Sequence, residues 1–366
     1  MTRRIALVVG PTAGHVHPAI AIAEAYRAAF PDVADVFVGA VAGPALRILA
    51  ARGIPLETVS ASPIAGVGVA SRLGAVASVV PTFAQARRLL RKHDTRLAIG
   101  VGGYASGGVL LAARSLGVRT VIHEANVVPG LANYLLAPVA HRVHQGLASS
   151  SGDIAARGRV VTGHPVRAEI AALAAAMPAA PSPPAAVRVF VTGGSRGGRF
   201  LAEHAPDLIA RIERLGVTLE VLHHAGELDA DVVRDIYRAR GVKATVAGDF
   251  LDMVQVYRWA HFVIARAGAG TLAELATAGL PALLVPLADA ARDHQSHNAR
   301  LFGEAGAAMW TREAAWHADE LAARVATLLG DAAAWRSASR AARALATPDA
   351  AARIVADCES LMSGRW

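Results

Sequence analysis

The chain has 366 residues and a formal net charge of +8, so we expect two domains and acidic partners such as phosphates or an anionic membrane surface. Aromatic residues make up only 5% of the sequence, which argues against single-stranded nucleic acid as a partner. The one cysteine, Cys358, excludes an internal disulfide and a cysteine-based metal site, and apolar runs such as 278–288 are too short to span a membrane.

The first half of the chain alternates short β-branched runs with amphipathic helical patterns. Candidate strands lie at 5–9, 33–38, 97–100, 118–123 and 143–145. Helical patterns begin near Pro18, Gly43, Thr82 and Gly107. This alternation predicts a doubly wound parallel sheet. The first apolar run ends at a glycine turn without a small-residue cleavage site, so we interpret it as a buried strand and expect a cytoplasmic protein.

A proline- and alanine-rich stretch separates this half from a second, similar half. We interpret residues 166–186 as an extended linker between a domain of residues 1–165 and a domain of residues 187–340. Residues 341–366 are predicted to form a helix that packs back toward the N-terminal domain. Ligands of doubly wound sheets bind beyond the carboxyl ends of the strands, so we expect the site in the cleft between the two halves.

Three glycine-rich turns follow predicted strands. They are "GPTAGH" (10–15), "GVGGYASGG" (100–108) and "TGGSRGG" (192–198). Each can present backbone N–H groups and a helix N-terminus to an anion. Glycines also allow close packing of a helix on a strand, and a single turn does not decide between the two roles. Three such turns, spread over both halves, favour anion binding.

A fourth segment, "ARAGAGTLAELATAGLPALLVPL", is more specific. Gly268 and Gly270 predict a turn, and a helix from about Thr271 would direct its N-terminus at a phosphate. Glu274 could then accept two hydrogen bonds from ribose hydroxyls. The alternative is that Thr271 and Glu274 form a capping box, which only satisfies the backbone of the helix. The next loop carries two further candidates for hydrogen bonds to sugar hydroxyls, His294 and Gln295.

Two patterns that can indicate a metal site are weak in this sequence. His15, His17 and His123 have no carboxylate at ligand spacing, so they do not predict a metal site. The D-x-D pair at 229–231 can hold a metal-bound diphosphate in other proteins. Here it opens a helical pattern, where aspartates are common caps, and we interpret it in that way. The sequence therefore predicts no metal site.

Several linked motifs resemble the MurG family of glycosyltransferases, in the order that the family has them. They are "GPTAGHVHPA" (10–19), "GVGGYASG" (100–107), "VIHEANVVPGLAN" (121–133), "TGHPVR" (162–167), "TGGSRGG" (192–198), "RAGAGTLAELATAGLPALLVPL" (266–287) and H-Q-x-x-N-A (294–299). The resemblance implies the GT-B fold, in which two Rossmann-like domains face each other across a cleft. It also implies transfer of N-acetylglucosamine from UDP-GlcNAc to lipid I, giving lipid II in peptidoglycan synthesis, with inversion of the anomeric centre and no metal ion or other cofactor.

The resemblance further implies that the first domain binds the acceptor and the second binds the UDP-sugar. It assigns contacts with the UDP-sugar to Thr12, Ala13, Gly14, Asn126, Arg167, Ser195, Phe250, Ala269, Gly270, Thr271, Glu274, His294 and Gln295. Phe250 would lie beside the uracil, and Glu274 at the ribose. On the acceptor side we expect contributions from Gly102, Gly103, Tyr104 and Arg72.

His15 is our candidate for the general base. A sugar hydroxyl is a poor nucleophile, and an imidazole with a pKa near neutrality can take its proton as the glycosidic bond breaks. Glu124 is the alternative base. His15 could instead be a helix-terminus histidine that only bonds the backbone.

The sequence departs from the family pattern mostly on the acceptor side. Pro11 stands where the family usually has glycine, and Arg196 where it usually has glutamine. The stretch 62–81 is apolar and holds only one basic residue, Arg72, while the basic segment 86–92 follows it. An apolar segment beside a basic helix fits a patch that rests on anionic lipid, at the cytoplasmic face of the membrane. A buried helix beside a solvated one explains the pattern equally well.

Because of these departures, a MurG-like transferase with another acceptor, such as a natural-product scaffold, is an alternative function. A GT-B-fold UDP-sugar 2-epimerase would need acidic residues around the sugar, and the turn at 10–15 supplies none. A nicotinamide dehydrogenase is disfavoured because no G-x-G-x-x-G follows a strand. His15, Glu274 and Gln295 together argue against an inactive binding protein.

Overall fold

The computed structural model describes residues 3–40, 43–61, 69–147, 158–177, 186–194, 198–248 and 252–364, without the side chains of residues 44 and 69–78. The chain divides into two compact units, Met1–Arg167 with Asp349–Trp366, and Ala168–Pro348. Each unit is built on one parallel β-sheet covered by helices. The prediction of two α/β domains with doubly wound parallel sheets is therefore confirmed.

The first unit has a seven-stranded sheet. Its strands are β1 (Arg4–Val9), β2 (Ala34–Gly39), β3 (Leu56–Thr58), β4 (Leu97–Gly100), β5 (Arg119–Glu124), β6 (Arg142–Gln145) and β7 (Arg159–Val161). Its helices begin with α1 (Ala13–Ala29), α2 (Pro44–Ala51), α3 (Val69–Lys92), α4 (Ala105–Ser115) and α5 (Leu131–Leu136). The strand order is β3-β2-β1-β4-β5-β6-β7, and all neighbouring strands run parallel.

Strand β1 shows why the first apolar run of the sequence is continuous. Ile5, Leu7 and Val9 belong to a buried cluster with residues of α1 and α2, whereas Ala6 and Val8 belong to another cluster with residues of α3 and α4. A parallel strand covered on both faces needs apolar side chains at every position. The sheet reverses its winding direction between β1 and β4, so the turns after these two strands flank a topological switch point.

The second unit has a six-stranded sheet. Its strands are β8 (Ala186–Thr192), β9 (Thr218–His224), β10 (Ala244–Ala247), β11 (Phe262–Ala265), β12 (Ala282–Leu284) and β13 (Ala308–Trp310). Its helices are α6 (Ala168–Ala171), α7 (Leu173–Ala176), α8 (Gly198–Arg214), α9 (Ala230–Ala239), α10 (Met253–Trp259), α11 (Ala269–Ala278), α12 (His294–Glu304), α13 (Ala318–Gly330) and α14 (Ala332–Ala344). The order β10-β9-β8-β11-β12-β13 places its switch point between β8 and β11.

The last helix, α15 (Ala350–Met362), belongs to the first unit. It packs on α1, and its Ile354, Cys358 and Leu361 are buried in the same cluster as β1. Asp357 accepts hydrogen bonds from His144 at 2.8 Å and from Arg142 at 3.2 Å. The bond to His144 is the main cause of the lowered pKa of the Asp357 carboxyl. The end of the chain is thus fastened to strand β6 by an ionic cluster.

Two predicted elements differ markedly from the structure. The extended linker at 166–186 is wrong for residues 168–176, because α6 and α7 form there and bury Ile170 and Leu173. Helix α3 begins at Val69 rather than near Thr82, and runs through Pro81. In the part of the chain that the structure describes, no helix combines the length and apolarity needed to cross a bilayer.

Candidate functional site

Two glycine turns meet at the switch point of the first sheet. The turn after β1 contains Gly10, and the turn after β4 contains Gly102 and Gly103, whose φ angles are 103° and 88°. A Cβ atom at Gly103 would lie 2.5 Å from the Cα atom of Gly10. Such a contact is closer than any real Cβ makes, so only glycine allows the two backbones to approach in this way.

His15 lies between these turns. It stands in the first turn of α1, whose N-cap is Thr12, and its Nδ1 lies 3.0 Å from Thr12 Oγ1. A Cβ atom at Gly10 would lie 2.5 Å from His15 Nδ1, and a Cβ atom at Gly102 would lie 2.9 Å from His15 Nε2. The imidazole therefore fills space that the glycines leave open, and its orientation is fixed by Thr12. Ala13 and Gly14 begin the same helix.

Glu124 has a different environment from His15. It is 2% exposed at the end of β5, and its Oε1 accepts hydrogen bonds from the backbone N–H of Asn126 at 2.9 Å and from Asn126 Nδ2 at 3.1 Å. Its Oε2 accepts from the backbone N–H of Gly130 at 2.9 Å and from Asn133 Nδ2 at 2.8 Å. Both carboxylate oxygens thus hold the loop that carries Asn126. Asn133 was not among the predicted site residues, although it closes the "VIHEANVVPGLAN" motif.

Two buried histidines lie next to this loop. His123 Nε2 lies 3.0 Å from His164 Nδ1, and both residues are nearly inaccessible. Burial lowers the pKa of His164 to about 4, with a smaller contribution from the charge of His15. Burial likewise lowers the pKa of His123 well below its usual value, followed by the effects of His164 and His144. Both imidazoles are therefore neutral near pH 7.

These pKa values predict that acid destabilises the protein. His164 and His223, whose pKa burial also lowers to about 4, would take up protons near pH 6.5 in the unfolded chain. Between about pH 6.5 and pH 4 the unfolded state binds more protons, so the free energy of unfolding falls as the pH decreases through this window. Urea unfolding at pH 7 and pH 5 measures the fall. A His164→Asn variant should show a smaller fall, and an equally steep fall in that variant would contradict this account.

The N-terminus of α11 lies at the switch point of the second sheet. Gly268 is its N-cap, with no side chain to bond the first backbone N–H groups, and Ala269, Gly270 and Thr271 form the first turn. Unsatisfied N–H groups and the helix dipole favour an anion at this position. The capping-box interpretation is wrong, because Thr271 lies inside the helix rather than at its N-cap. The predicted helix start at Thr271 was two residues late.

Glu274 lies in the next turn of α11, half-buried. Its Oε2 accepts a hydrogen bond of 2.7 Å from the hydroxyl of Tyr257 on α10. Tyr257 is 2% exposed and packs edge-on against Phe190. Tyr257 was not predicted as a site residue, because its contact with Glu274 joins two helices and leaves no local signal in the sequence.

His294 and Gln295 begin helix α12. The prediction that they lie on a loop is therefore wrong. Gln295 Oε1 accepts a hydrogen bond of 3.0 Å from the backbone N–H of Leu287, and the His294 ring bonds the carbonyl of Ala291 at 2.7 Å. The two residues before α12 adopt positive φ angles, Arg292 at 56° and Asp293 at 53°. Backbone strain of this kind concentrates at functional sites.

Two further residues, which sequence reasoning missed, brace these turns. Arg266, 5% exposed, pairs with Glu313 at 2.6 Å and donates hydrogen bonds to the carbonyls of Val285 and Pro286 at 3.2 and 3.3 Å. Asn298, fully buried, donates to the carbonyl of Ala267 at 3.1 Å. They join the turn before α11 to the loop before α12. Arg266 belongs to the motif at 266–287 and Asn298 to the motif at 294–299. Their place in these motifs could have indicated a role for both side chains.

The remaining predicted residues fall into two groups. Tyr104 is half-buried at the N-cap of α4, and Arg167 is half-buried at the end of the first unit. Ser195, Phe250 and the side chain of Arg72 lie outside the described residues. In the first unit, the other predicted residues lie at the carboxyl ends of β1, β4 and β5. In the second unit, they lie beyond the carboxyl ends of β11 and β12.

The D-x-D pair has the capping role that was predicted for it. Asp229 is the N-cap of α9, and its carboxylate accepts a hydrogen bond of 2.9 Å from the backbone N–H of Asp231. Within the described ranges, no group of three histidine, cysteine, aspartate or glutamate side chains could hold a metal ion.

Comparisons with known proteins agree with this division of the chain. The Glycosyltransferase family 28 N-terminal domain matches residues 5–145, and the Glycosyltransferase family 28 C-terminal domain matches residues 188–354. These two matches cover most strands of both sheets, and β7 lies outside them.

Relatives that share one name match nearly the whole chain. The UDP-N-acetylglucosamine--N-acetylmuramyl-(pentapeptide) pyrophosphoryl-undecaprenol N-acetylglucosamine transferase of Xanthomonas euvesicatoria is 38% identical over 97% of this chain and 80% of its own length. The protein of the same name from Geobacter metallireducens is 35% identical over 96% of this chain and 97% of its own. The crystal structure of MurG from Acinetobacter baumannii is 26% identical, with a TM-score of 0.77 over 98% of this chain and 100% of that one. The chain therefore belongs to glycosyltransferase family 28 and, within it, to the MurG family of N-acetylglucosaminyltransferases.

Proposed function

We propose that this protein transfers N-acetylglucosamine from UDP-GlcNAc to lipid I, undecaprenyl-diphospho-MurNAc-pentapeptide, and so makes lipid II for peptidoglycan. The observation that carries the proposal is the identity of 35–38%, over almost the full chain, to relatives named for this transfer. Ligands bind beyond the carboxyl ends of parallel strands, and each unit has one such sheet. The chain therefore has two places for ligands, as a reaction with two substrates requires.

The second unit binds the donor in this proposal. The N-terminus of α11, at Gly268 to Thr271, takes the diphosphate, because its backbone N–H groups and dipole stabilise negative charge there. Glu274 accepts hydrogen bonds from the ribose, and Gln295 holds the sugar. Ser195, Phe250, Arg167 and His294 complete the donor site, and Thr12, Ala13, Gly14 and Asn126 contact the sugar from the first unit.

His15 acts as the general base. In the tautomer whose Nδ1–H donates to Thr12 Oγ1, the lone pair is on Nε2, which takes the proton of the acceptor hydroxyl. The hydroxyl oxygen forms a bond to the anomeric carbon while the bond from that carbon to the phosphate oxygen breaks. UDP leaves from the opposite face, so the configuration inverts. The dipole of α11, rather than a metal ion, stabilises the charge on the leaving UDP.

Glu124 is the weaker candidate for the base. Its two oxygens already accept hydrogen bonds from Asn126, Gly130 and Asn133. A proton on this carboxylate would leave some of those buried donors unmatched, which costs free energy. Its role in the proposal is to hold Asn126 in place.

The proposal is tested by measuring UDP release with two acceptors. With radiolabelled UDP-GlcNAc and a short-chain lipid I analogue, we expect transfer that persists in EDTA. A soluble natural-product glycoside should support none. Equal transfer to the soluble acceptor would contradict the lipid I assignment, and loss of transfer in EDTA would contradict the metal-independent mechanism. Conversion of UDP-GlcNAc to its C2 epimer without any acceptor would indicate an epimerase.

We also propose that the first unit rests on the cytoplasmic face of an anionic membrane. The apolar stretch predicted for this contact, 62–81, lies largely outside the described side chains. Helix α5 and the turn after it supply a second apolar surface, since four large apolar side chains there are each at least 45% exposed: Leu131, Tyr134, Leu135 and Val139. Exposed apolar side chains grouped in this way mark an interaction surface.

The membrane proposal predicts the effect of charge on this surface. Leu131→Glu combined with Leu135→Glu should weaken binding to phosphatidylglycerol vesicles about tenfold, because two leucine side chains no longer enter the lipid. Co-sedimentation measures the binding. Leu215→Glu is the matched control, since Leu215 is equally exposed but lies in the second unit. Unchanged vesicle binding in the double variant would contradict the proposal.

A further inference from the structure

Tyr257 is in direct contact with the carboxylate of Glu274. Its hydroxyl donates to Glu274 Oε2 at 2.7 Å. The ring is buried in the second unit, edge-on to Phe190 with ring centroids 6.3 Å apart. A tyrosine held in this way has little freedom to move its hydroxyl.

The helix that carries Tyr257 is itself fixed at its start. Asp252 is the N-cap of α10, and its carboxylate accepts hydrogen bonds from the backbone N–H groups of Val254 at 3.0 Å and Gln255 at 3.1 Å. Such a cap stabilises the first turn of a helix. The Tyr257 hydroxyl, which donates to Glu274, therefore belongs to a helix that is stabilised at its start.

The chemistry of the contact is that of a strong hydrogen bond. An O–H donor to an ionised carboxylate makes a shorter and stronger bond than a pair of neutral groups. A half-buried glutamate has several rotamers, and one strong bond to a single oxygen selects among them. The orientation of the other oxygen, Oε1, is then set as well.

We infer that Tyr257 is a positioning residue for recognition of the ribose. It holds Oε2 of Glu274 so that Oε1 faces the ribose hydroxyls as their acceptor, and so gives the site its preference for ribonucleotides. The inference rests on the proposed function, in which Glu274 contacts the ribose. Tyr257 does not touch the nucleotide and acts through Glu274.

The test uses Tyr257→Phe, which removes only the hydroxyl. Calorimetric titration compares UDP with 2′,3′-dideoxy-UDP, which lacks both ribose hydroxyls. The wild-type chain should bind UDP about tenfold more tightly than the dideoxy nucleotide, and Tyr257→Phe should reduce this preference to about twofold by weakening UDP binding alone. In the transfer assay, KM for UDP-GlcNAc should rise while kcat stays within about twofold.

Tyr237→Phe is the matched control. Tyr237 is 1% exposed in the same unit, and its hydroxyl lies 2.9 Å from His223 Nδ1 rather than at the nucleotide site. Tyr237→Phe should destabilise the protein, because it removes a buried hydroxyl that contacts His223. It should keep the full preference for ribose. In a Glu274→Gln background, Tyr257→Phe should cause no further loss, because both substitutions remove the same interaction.

Two results would overturn the inference. Tyr257→Phe could keep the wild-type preference for UDP, or it could weaken UDP and the dideoxy nucleotide equally, as a merely structural role requires. A wild-type chain without transfer to lipid I would contradict the proposed function, whereas a retained preference in Tyr257→Phe contradicts only this inference.

Discussion

Replacement of His15 by alanine is expected to lower the rate of transfer about a thousandfold, which is the usual contribution of a general base. The imidazole is held by Thr12 and enclosed by Gly10 and Gly102, and alanine has no group that can accept the proton. The affinity for UDP should stay unchanged, because His15 is not among the residues proposed to bind the nucleotide, most of which belong to the second unit. Single-turnover rates with the lipid I analogue, together with calorimetric titration of UDP, measure both quantities.

A control variant and a second substitution make this result specific. His93→Ala should keep the wild-type rate, since His93 lies at the end of α3 and bonds Glu57. His15→Gln keeps a hydrogen-bonding side chain but cannot accept the proton at neutral pH, and it should be as slow as His15→Ala. Transfer by His15→Ala within about tenfold of the wild-type rate would remove His15 from the role of base.

Replacement of Gly103 by alanine should destabilise the first unit by about 3 kcal/mol and abolish transfer. The new Cβ would lie 2.5 Å from the Cα atom of Gly10, so the two turns must separate. The φ angle of 88° is also unfavourable for alanine. Because His15 depends on the spacing of these turns, the base would lose its orientation together with the stability. Urea unfolding and the transfer assay give the two effects.

Gly117→Ala separates the backbone cost from the steric clash. Gly117 has a φ angle of 75° but no atom within 4 Å of a Cβ at that position. Its replacement should cost only about 1 kcal/mol and leave transfer intact. If Gly103→Ala is no less stable than Gly117→Ala, then the close approach of the two turns does not constrain the site.

The architecture was predictable because its signals are local and repeated. Apolar runs such as 5–9 and 262–265 are continuous, as strands covered on both faces require, and helical patterns alternate with them. The stretch after Arg167 was misread as a linker. Its alanines favour a helix, and the burial of Ile170 and Leu173 that stabilises α6 and α7 is a tertiary effect.

The candidate site was less predictable than the fold. The glycine turns and the histidine after the first of them could be found by spacing, since they lie beside strands. The start of α11 could not, because helix ends are uncertain by one or two residues, and this uncertainty decided whether Glu274 could be a capping residue. The pairs Tyr257 with Glu274 and His123 with His164 depend on contacts between distant segments, which spacing in the sequence does not encode.

The configuration of the bond formed in the product tests the account most directly. The product from UDP-GlcNAc and a short-chain lipid I analogue can be purified and its new glycosidic bond assigned by proton NMR. The donor carries an α-linked sugar, so direct displacement assisted by His15 predicts a single N-acetylglucosamine joined through a β bond. An α bond would require a covalent sugar–enzyme intermediate or attack from the side of the leaving group, and would contradict a mechanism with one base and one displacement.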